Sequence, residues 1–565
     1  MTASSTARST CWATPIILYL FAVALNLIGI TWGLPGQGSD LLPGLAQGAV
    51  VEEADQAWAT AQDPARNLNS GPPAADRPET TAKVLRRFAL YTADPDEVVA
   101  LMAVARLNPL AGRWDPGFAQ YGGFFLYALG GTFKLASRLG LVALQGDPSF
   151  YVLRPQRIAR IYLTGRLLVV LIGALAIPWL WLLAAPLYGE RIAAAAAALA
   201  TCAPAWIAWN HVMKPVAFGA AFAVAALVAG QRLPRSSRPW RATVLAGLLT
   251  GLAAGAILHY ALLILGPWIA IALQREDPAL RRLARMIVAA AAAALTATAL
   301  NPSWLINPAG ALAGWGMMSG WYEPSYRPSA LAAFAWGSLG PALGFPLVVV
   351  GLLEGLFLLW RVRGALPVVT PAFALLAAVA VKTGGIPGDG LHARLVLPAL
   401  LVLALLGTGG LCRVGRALLG PARWLPLLLA VPTLLMTTAL LRNFTAASGP
   451  AGTRHRAGEW INALPEGASM GVLAPLAPFR SPYFRLDRYR LVVNDHPEVA
   501  GGAPEPDYFL VAERSGVPAA PGFLARYEEV KRFAPLALPF ETFAHAVYPF
   551  ADPPITLYRR RVPHG

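Results

Sequence analysis

Long apolar runs of near-bilayer length recur along this 565-residue chain, separated by short basic or turn-forming stretches. They fall at about 14–32, 161–187, 190–208, 214–231, 243–258, 259–274, 286–301, 340–360, 366–382, 393–411 and 424–442. A spanning helix needs about 20 mostly apolar residues, so the pattern predicts about eleven transmembrane helices. The first run follows Arg8 and precedes no convincing small-residue cleavage site, so it reads as an uncleaved signal anchor. Near Asn443 the long runs stop and charge density rises. There, 453–464 reads as a helix ended by Pro465, and 470–473, 489–493, 508–511 and 555–558 read as short strands. The expected architecture is a polytopic α-helical membrane domain, 1–442, with a long first loop at about 34–160. A small α/β domain, 443–565, follows it.

Composition narrows the class. With 56% hydrophobic and 13% charged residues, the chain carries about half the usual charge of a soluble protein. That excludes an ordinary soluble enzyme, and equally a disordered chain. The net charge of +16 would point to nucleic acid in a soluble protein. In a membrane protein it reads instead as the Lys/Arg bias of cytoplasmic loops, with no nucleic-acid partner.

The same bias assigns the ambiguous segment 118–137. If it does not span, about fifteen basic residues share one side: Arg8, Arg191, the arginines of 232–241, 275–285 and 361–363, and Arg413, Arg416 and Arg423. Only about five stand opposite, namely Lys214, Arg327, Lys382, Arg394 and Arg442. If 118–137 spans, the ratio inverts. It is therefore expected to lie as an aromatic helix at the outer interface, with Phe118, Tyr121 and Phe125 among its rings. The amino end is then cytoplasmic. The first loop, a Pro- and Trp-rich loop at about 302–339, and the carboxyl tail all face outward.

The chemistry-bearing residues gather on that side. Cys11, Cys202 and Cys412 are far apart, and neither they nor the tail's His455, His496, His545 and His564 have metal-ligand spacing. In the first loop, Asp94-Pro95-Asp96-Glu97 puts Asp94 at a helix N-cap and the other two acids in the first turn. Acids occupy first turns for dipole reasons alone. Here the cluster also leads to Tyr121-Gly122-Gly123 and the interfacial helix. A carboxylate at such a surface can deprotonate an acceptor hydroxyl or hold a divalent cation against a phosphate. His259, Arg394 with His392, and Lys214 are cations in places where charge is costly unless it is paired or functional. Trp304, Trp315, Trp321, Tyr322 and Glu323 could stack on a sugar, or form an interfacial belt.

Through these residues the chain resembles the GT-C superfamily of polytopic glycosyltransferases, and within it bacterial relatives of the protein O-mannosyltransferases and lipid A aminoarabinose transferases. Pro95-Asp96-Glu97 matches the acidic motif of the family's first outer loop, with Asp94 where many members have His. Gln120 to Tyr127 matches the aromatic segment entering the interfacial helix. Ile158 to Leu168, Tyr188-Gly189-Glu190-Arg191, Asn301-Pro302, Ala393 to Pro398 and Arg456 to Ile461 extend the resemblance along the chain.

The resemblance implies a GT-C-like fold in a bacterial plasma membrane. It implies inverting transfer of a sugar from a polyprenyl-phosphate donor to an extracytoplasmic acceptor, whether protein hydroxyl, lipid or glycan. Asp96 is the implied general base, with Glu97 or Asp94 assisting. Arg394, His392, His259, Lys214 and His211 are the implied contacts to the donor phosphate. Asp115, Tyr121, Trp321 and Tyr322 are the implied substrate contacts. A divalent cation, if used, would sit on Asp96 and Glu97, and no nucleotide cofactor is expected. One departure stands out: the acid that members often carry in the second outer loop is missing from 210–216, where Lys214 appears. A secondary transporter and a non-enzymatic scaffold are the alternative readings.

Overall fold

The computed structural model describes residues 13–44, 48–63, 68, 80–322, 324–384, 390–420, 424–494, 505–512, 521–535 and 538–561. Arg8, Cys11, Glu323, Arg423, His496 and His564 lie outside the described residues.

Each of the apolar runs contains a helix, but they are not equal in length. Among the described residues six helices are long and apolar enough to cross a membrane: Pro155–Tyr188, Pro215–Arg235, Ala279–Ala299, Arg363–Thr383, Leu391–Leu419 and Pro426–Ala446. The count reaches eight if two bent pairs are single spans: Glu190–Thr201 with Pro204–Asn210 at 58°, and Pro328–Leu343 with Phe345–Arg361 at 114°. Three further runs fall short of that length or apolarity, for local reasons. The first run is helical only over Ala13–Leu27, before Gly29 and Gly33 take left-handed φ values of 76° and 56°. The run at 259–274 begins as a 3-10 turn, Leu258–Ile264, and continues as the short helix Leu265–Ala272. The run at 243–258 lies in the helix Pro239–Ala256, which is rich in Gly and Ala. Its small residues serve close approach instead: a Cβ on Gly247 would lie 2.5 Å from the Ala289 carbonyl oxygen.

The segment 118–137, expected at the interface, is helical over Gly123–Arg138, and 118–122 is irregular. Phe125, Leu129 and Phe133 form its buried stripe at four-residue spacing. Its start is pinned from two sides. The Gly122 N–H donates to the Ala256 carbonyl at 3.1 Å, and the Gly123 N–H donates to Asn301 Oδ1 at 2.5 Å. The Tyr162 hydroxyl donates to the Leu90 carbonyl at 3.1 Å, joining the chain after this helix to the chain before it.

The tail forms a five-stranded sheet from β1 (Ser469–Leu473), β2 (Arg490–Asn494), β3 (Tyr508–Ala512), β4 (Tyr527–Phe533) and β5 (Ile555–Arg560), in the order β2-β1-β3-β5-β4. β1 pairs in parallel with β2 and β3, and β5 pairs antiparallel with β3 and β4. The tail is not a separate body. Met470, Val472 and Leu557 share one core with Val84, Leu85 and Phe88 of the first loop. Ala544, Val547, Tyr548 and Phe550 belong to the core of the membrane helices.

Candidate active site

The acidic motif is set by the turn before the helix Glu97–Arg106. The Ala93 N–H donates to the Gly33 carbonyl at 2.8 Å, and any side chain at Gly33 would collide with Ala93. Asp94 Oδ1 accepts the backbone N–H groups of Asp96 (2.9 Å) and Glu97 (3.2 Å), so Asp94 caps the helix start. Its Oδ2 accepts from the Tyr548 hydroxyl and meets Lys214 Nζ at 3.0 Å. Asp94 is fully buried, and burial pushes its carboxyl above the usual range against the pull of Lys214.

Glu97 points elsewhere. Both carboxylate oxygens are held by Arg166, from Nε at 2.8 Å and Nη2 at 2.7 Å, and Oε1 also accepts the Met213 N–H at 2.7 Å. Arg166 Nη1 donates to the Ile30 and Trp32 carbonyls at 2.8 and 2.7 Å. Both partners are inaccessible to solvent. Burial alone would raise the Glu97 carboxyl, but Arg166 outweighs it and holds the group below its ordinary range. Glu97 is therefore a structural counter-ion here and does not open onto a substrate space.

Asp96 does open onto one. Its side chain is 35% exposed, and Oδ2 lies 2.8 Å from Lys214 Nζ. It lines a cavity of about 620 Å³ with Tyr121, Lys214, His259, Arg394, Trp321 and Tyr322. Much of the remaining wall is apolar, including Leu258, Leu262, Leu375 and Val379. Trp304, Trp315 and Lys382 line it too, with Lys382 Nζ donating to Ser319 Oγ at 2.9 Å. Arg394 is carried just before the almost wholly buried helix Leu397–Leu419 and hydrogen-bonds Tyr322. The Trp209 ring faces two cations, Lys214 Nζ at 5.4 Å and the Arg394 guanidinium at 5.6 Å. The buried Tyr121 hydroxyl has no hydrogen-bond partner among the described residues, leaving a donor on the cavity wall.

Three residues fall outside this cavity. His211 stacks on Phe444 at 4.2 Å, and its two ring nitrogens each lie 2.8 Å from a carbonyl oxygen, of Ile207 and of Ile28. Burial pushes it down to about 4, so at neutral pH it carries no charge for a phosphate. Asp115 accepts from Gly117 N–H at 2.9 Å and from Asn307 Nδ2 at 2.8 Å, tying the first loop to the Trp-rich loop. His392 meets Tyr322 edge-on at 5.9 Å and so sits behind the wall. Among the described residues no cluster of three or more His, Cys, Asp or Glu could hold a metal ion. The expected metal pair, Asp96 and Glu97, does not converge, because Arg166 turns Glu97 away.

Solved structures of two membrane proteins are similar to this chain in fold. One is the oligosaccharyltransferase AglB of Archaeoglobus fulgidus, in complex with an inhibitory peptide and a dolichol-phosphate: 14% identity, TM-score 0.43, covering 86% of this chain and 65% of that one. The chain thus spans just under two thirds of the length of that relative. Another is ArnT of Cupriavidus metallidurans bound to undecaprenyl phosphate: 15% identity, TM-score 0.39, covering 97% of this chain and 98% of that one. No family model and no curated protein matches the chain.

Two site residues escaped sequence reasoning. Arg166 had a signal, since an arginine within an apolar run calls for a buried partner. Tyr548 had none. It stands edge-on to Trp32 at 5.5 Å and Trp209 at 5.6 Å, while Arg454 holds the following Phe550 and Ala551 carbonyls at 2.8 and 3.0 Å. Burial and the Asp94 carboxylate push its hydroxyl far above the usual range, so it stays a donor. Tyr548→Phe removes one hydrogen bond to a charged group, and a loss of about 1.5–3 kcal/mol of stability is expected. A thermal melt matching wild type would contradict that role.

Proposed function

We propose that this chain is an inverting glycosyltransferase of a bacterial plasma membrane, moving a sugar from a polyprenyl-phosphate donor to a hydroxyl on the outer side. One observation carries the reading. Of the three motif carboxylates only Asp96 reaches the cavity, and there it faces a largely apolar space that also contains fixed cations. Such a space suits a lipid phosphate. The apolar walls take the isoprenoid chain, and Arg394 meets the phosphate. Trp321, Tyr322 and the Tyr121 hydroxyl contact the sugar.

In the transfer, the acceptor O–H gives its proton to Asp96 as its oxygen bonds to the anomeric carbon. The bond from that carbon to the phosphate oxygen breaks on the opposite face. The polyprenyl phosphate departs with its negative charge against Arg394. The helix Leu397–Leu419 runs from this site toward Arg413 and Arg416. The positive-inside rule places that far end in the cytoplasm and the cavity at the outer face.

Proteoliposomes given a radiolabelled polyprenyl-phosphate sugar and a membrane acceptor fraction test this. Label in the acceptor is the expected result. Label accumulating free in the lumen would mean a transporter, and neither outcome would mean a scaffold. Within the active protein, Arg394→Ala is expected to raise the donor KM by roughly ten- to a hundredfold, the equivalent of losing a charge-assisted contact. An unchanged donor KM would remove Arg394 from the phosphate site.

A further inference from the structure

The second-loop acid that the resemblance leads one to expect is absent, and the residue present, Lys214, is neither solvated nor free. It is 3% exposed, with Nζ 3.0 Å from Asp94 Oδ2 and 2.8 Å from Asp96 Oδ2. Its backbone N–H donates to the Val212 carbonyl at 2.8 Å, and Pro215 follows it at the first turn of the helix Pro215–Arg232. The ammonium therefore starts from a fixed point and ends between two carboxylates, beside the Trp209 ring.

We infer that the Lys214 ammonium is the resident cation of the Asp94–Asp96 pair, occupying the position a divalent ion would need, so that this chain operates without a metal. This rests on the reading of Asp96 as the reactive carboxylate. Three observations support it. The oxygens of two carboxylates that meet at one point repel each other unless a positive charge stands between them. Lys214 provides that charge at the 2.8–3.0 Å spacing of charge-assisted hydrogen bonds. An Mg²⁺ or Ca²⁺ ion at this point would have to displace the ammonium from both carboxylates, and the third carboxylate of the motif cannot substitute because Arg166 closes it. The lysine also leaves Asp96 geometrically fixed, since the cation is tethered to the backbone and cannot exchange with solvent.

The test uses the purified full chain, stripped with chelator, and follows Mn²⁺ binding by loss of the free-ion electron paramagnetic resonance signal. Wild type is expected to take up no Mn²⁺ that Asp96→Asn abolishes, and to transfer sugar equally with and without EDTA. Lys214→Ala opens the position and is expected to bind one Mn²⁺ per chain, at least roughly a hundredfold tighter than wild type. Lys214→Ala/Asp96→Asn is expected to lose that binding. Asp96-dependent Mn²⁺ uptake by wild type, or transfer that EDTA abolishes and Mn²⁺ restores, would overturn the inference. So would a folded Lys214→Ala protein that takes up no Mn²⁺, because the carboxylates would then not be spaced for an ion. If Lys214→Ala does not fold, the wild-type and Asp96→Asn comparison decides alone. If no protein transfers sugar, the reaction assigned above fails, while the Mn²⁺ measurements still decide the role of Lys214.

Discussion

Asp96→Asn is expected to reduce sugar transfer at least about a thousandfold while leaving the melting temperature within a degree or two of wild type. A positioned general base contributes roughly 10²–10⁴ to rate, and an amide cannot take the acceptor proton. The fold should tolerate the change. The Asp96 side chain is partly exposed, and its structural contribution to the helix start is a backbone N–H that Asp94 accepts. The amide oxygen can still accept from Lys214. Asp94→Asn is the informative contrast. Asp94 accepts two backbone N–H groups, a tyrosine hydroxyl and the ammonium at once. Its loss should therefore appear in the melt as well as in turnover. If Asp96→Asn transferred sugar near the wild-type rate, Asp96 could not be the base.

Glu97→Ala is expected to destabilise the protein by about 3–5 kcal/mol, because it strands the Arg166 guanidinium in a space closed to solvent. Arg166→Met should cost a similar amount by stranding Glu97. The pair removed together, Glu97→Ala/Arg166→Met, should cost clearly less than the sum, since no uncompensated charge is left. The coupling is measured by a double-mutant cycle on thermal or denaturant unfolding. Simple additivity would show that the two side chains do not act as a pair. The pH dependence has a definite sign. Arg166 holds the Glu97 carboxyl below its ordinary range. The stabilisation is thus complete above the unfolded value of about 4.3 and is lost as pH falls through the lower folded value.

Much of the scaffold could be read from residue pattern, because apolar length and period are local properties. The runs at 214–231, 286–301, 366–382, 393–411 and 424–442 all overlap membrane-length helices, and Asp94 accepts N–H groups at the start of the helix that follows it, whose N-cap position is Asp96. The strands at 470–473, 508–511 and 555–558 are apolar and were equally visible. β4 was not, because its sequence Tyr527-Glu-Glu-Val-Lys-Arg-Phe533 alternates poorly. Only its terminal aromatics are buried, as suits an edge strand with a charged outer face. Where Gly29, Gly33 and the 3-10 turn at 258–264 interrupt apolar stretches, the helices are shorter than the runs that contain them.

The site was legible one residue at a time and not as an assembly. Sequence placed Asp96, Lys214 and Arg394 on one side, but not the two carboxylates around the ammonium. It also did not separate Asp96 from Glu97, neighbours in sequence whose side chains have different partners and different exposure. That difference is made by Arg166 and Met213, which approach Glu97 from 69 and 116 positions away.

The contact between Tyr548 and Asp94 joins positions 454 residues apart, and this bears on how the protein is made. Ribosomes deliver the acidic motif first and its tyrosine last, after the spans between them have been inserted. Until residue 548 has been made, Asp94 lacks its hydroxyl donor and the aromatic box around Trp32 and Trp209 lacks one wall. A nascent or truncated chain that ends before residue 548 is therefore expected to insert in the membrane yet remain inactive. Completion of the chain would then be the step that closes the site.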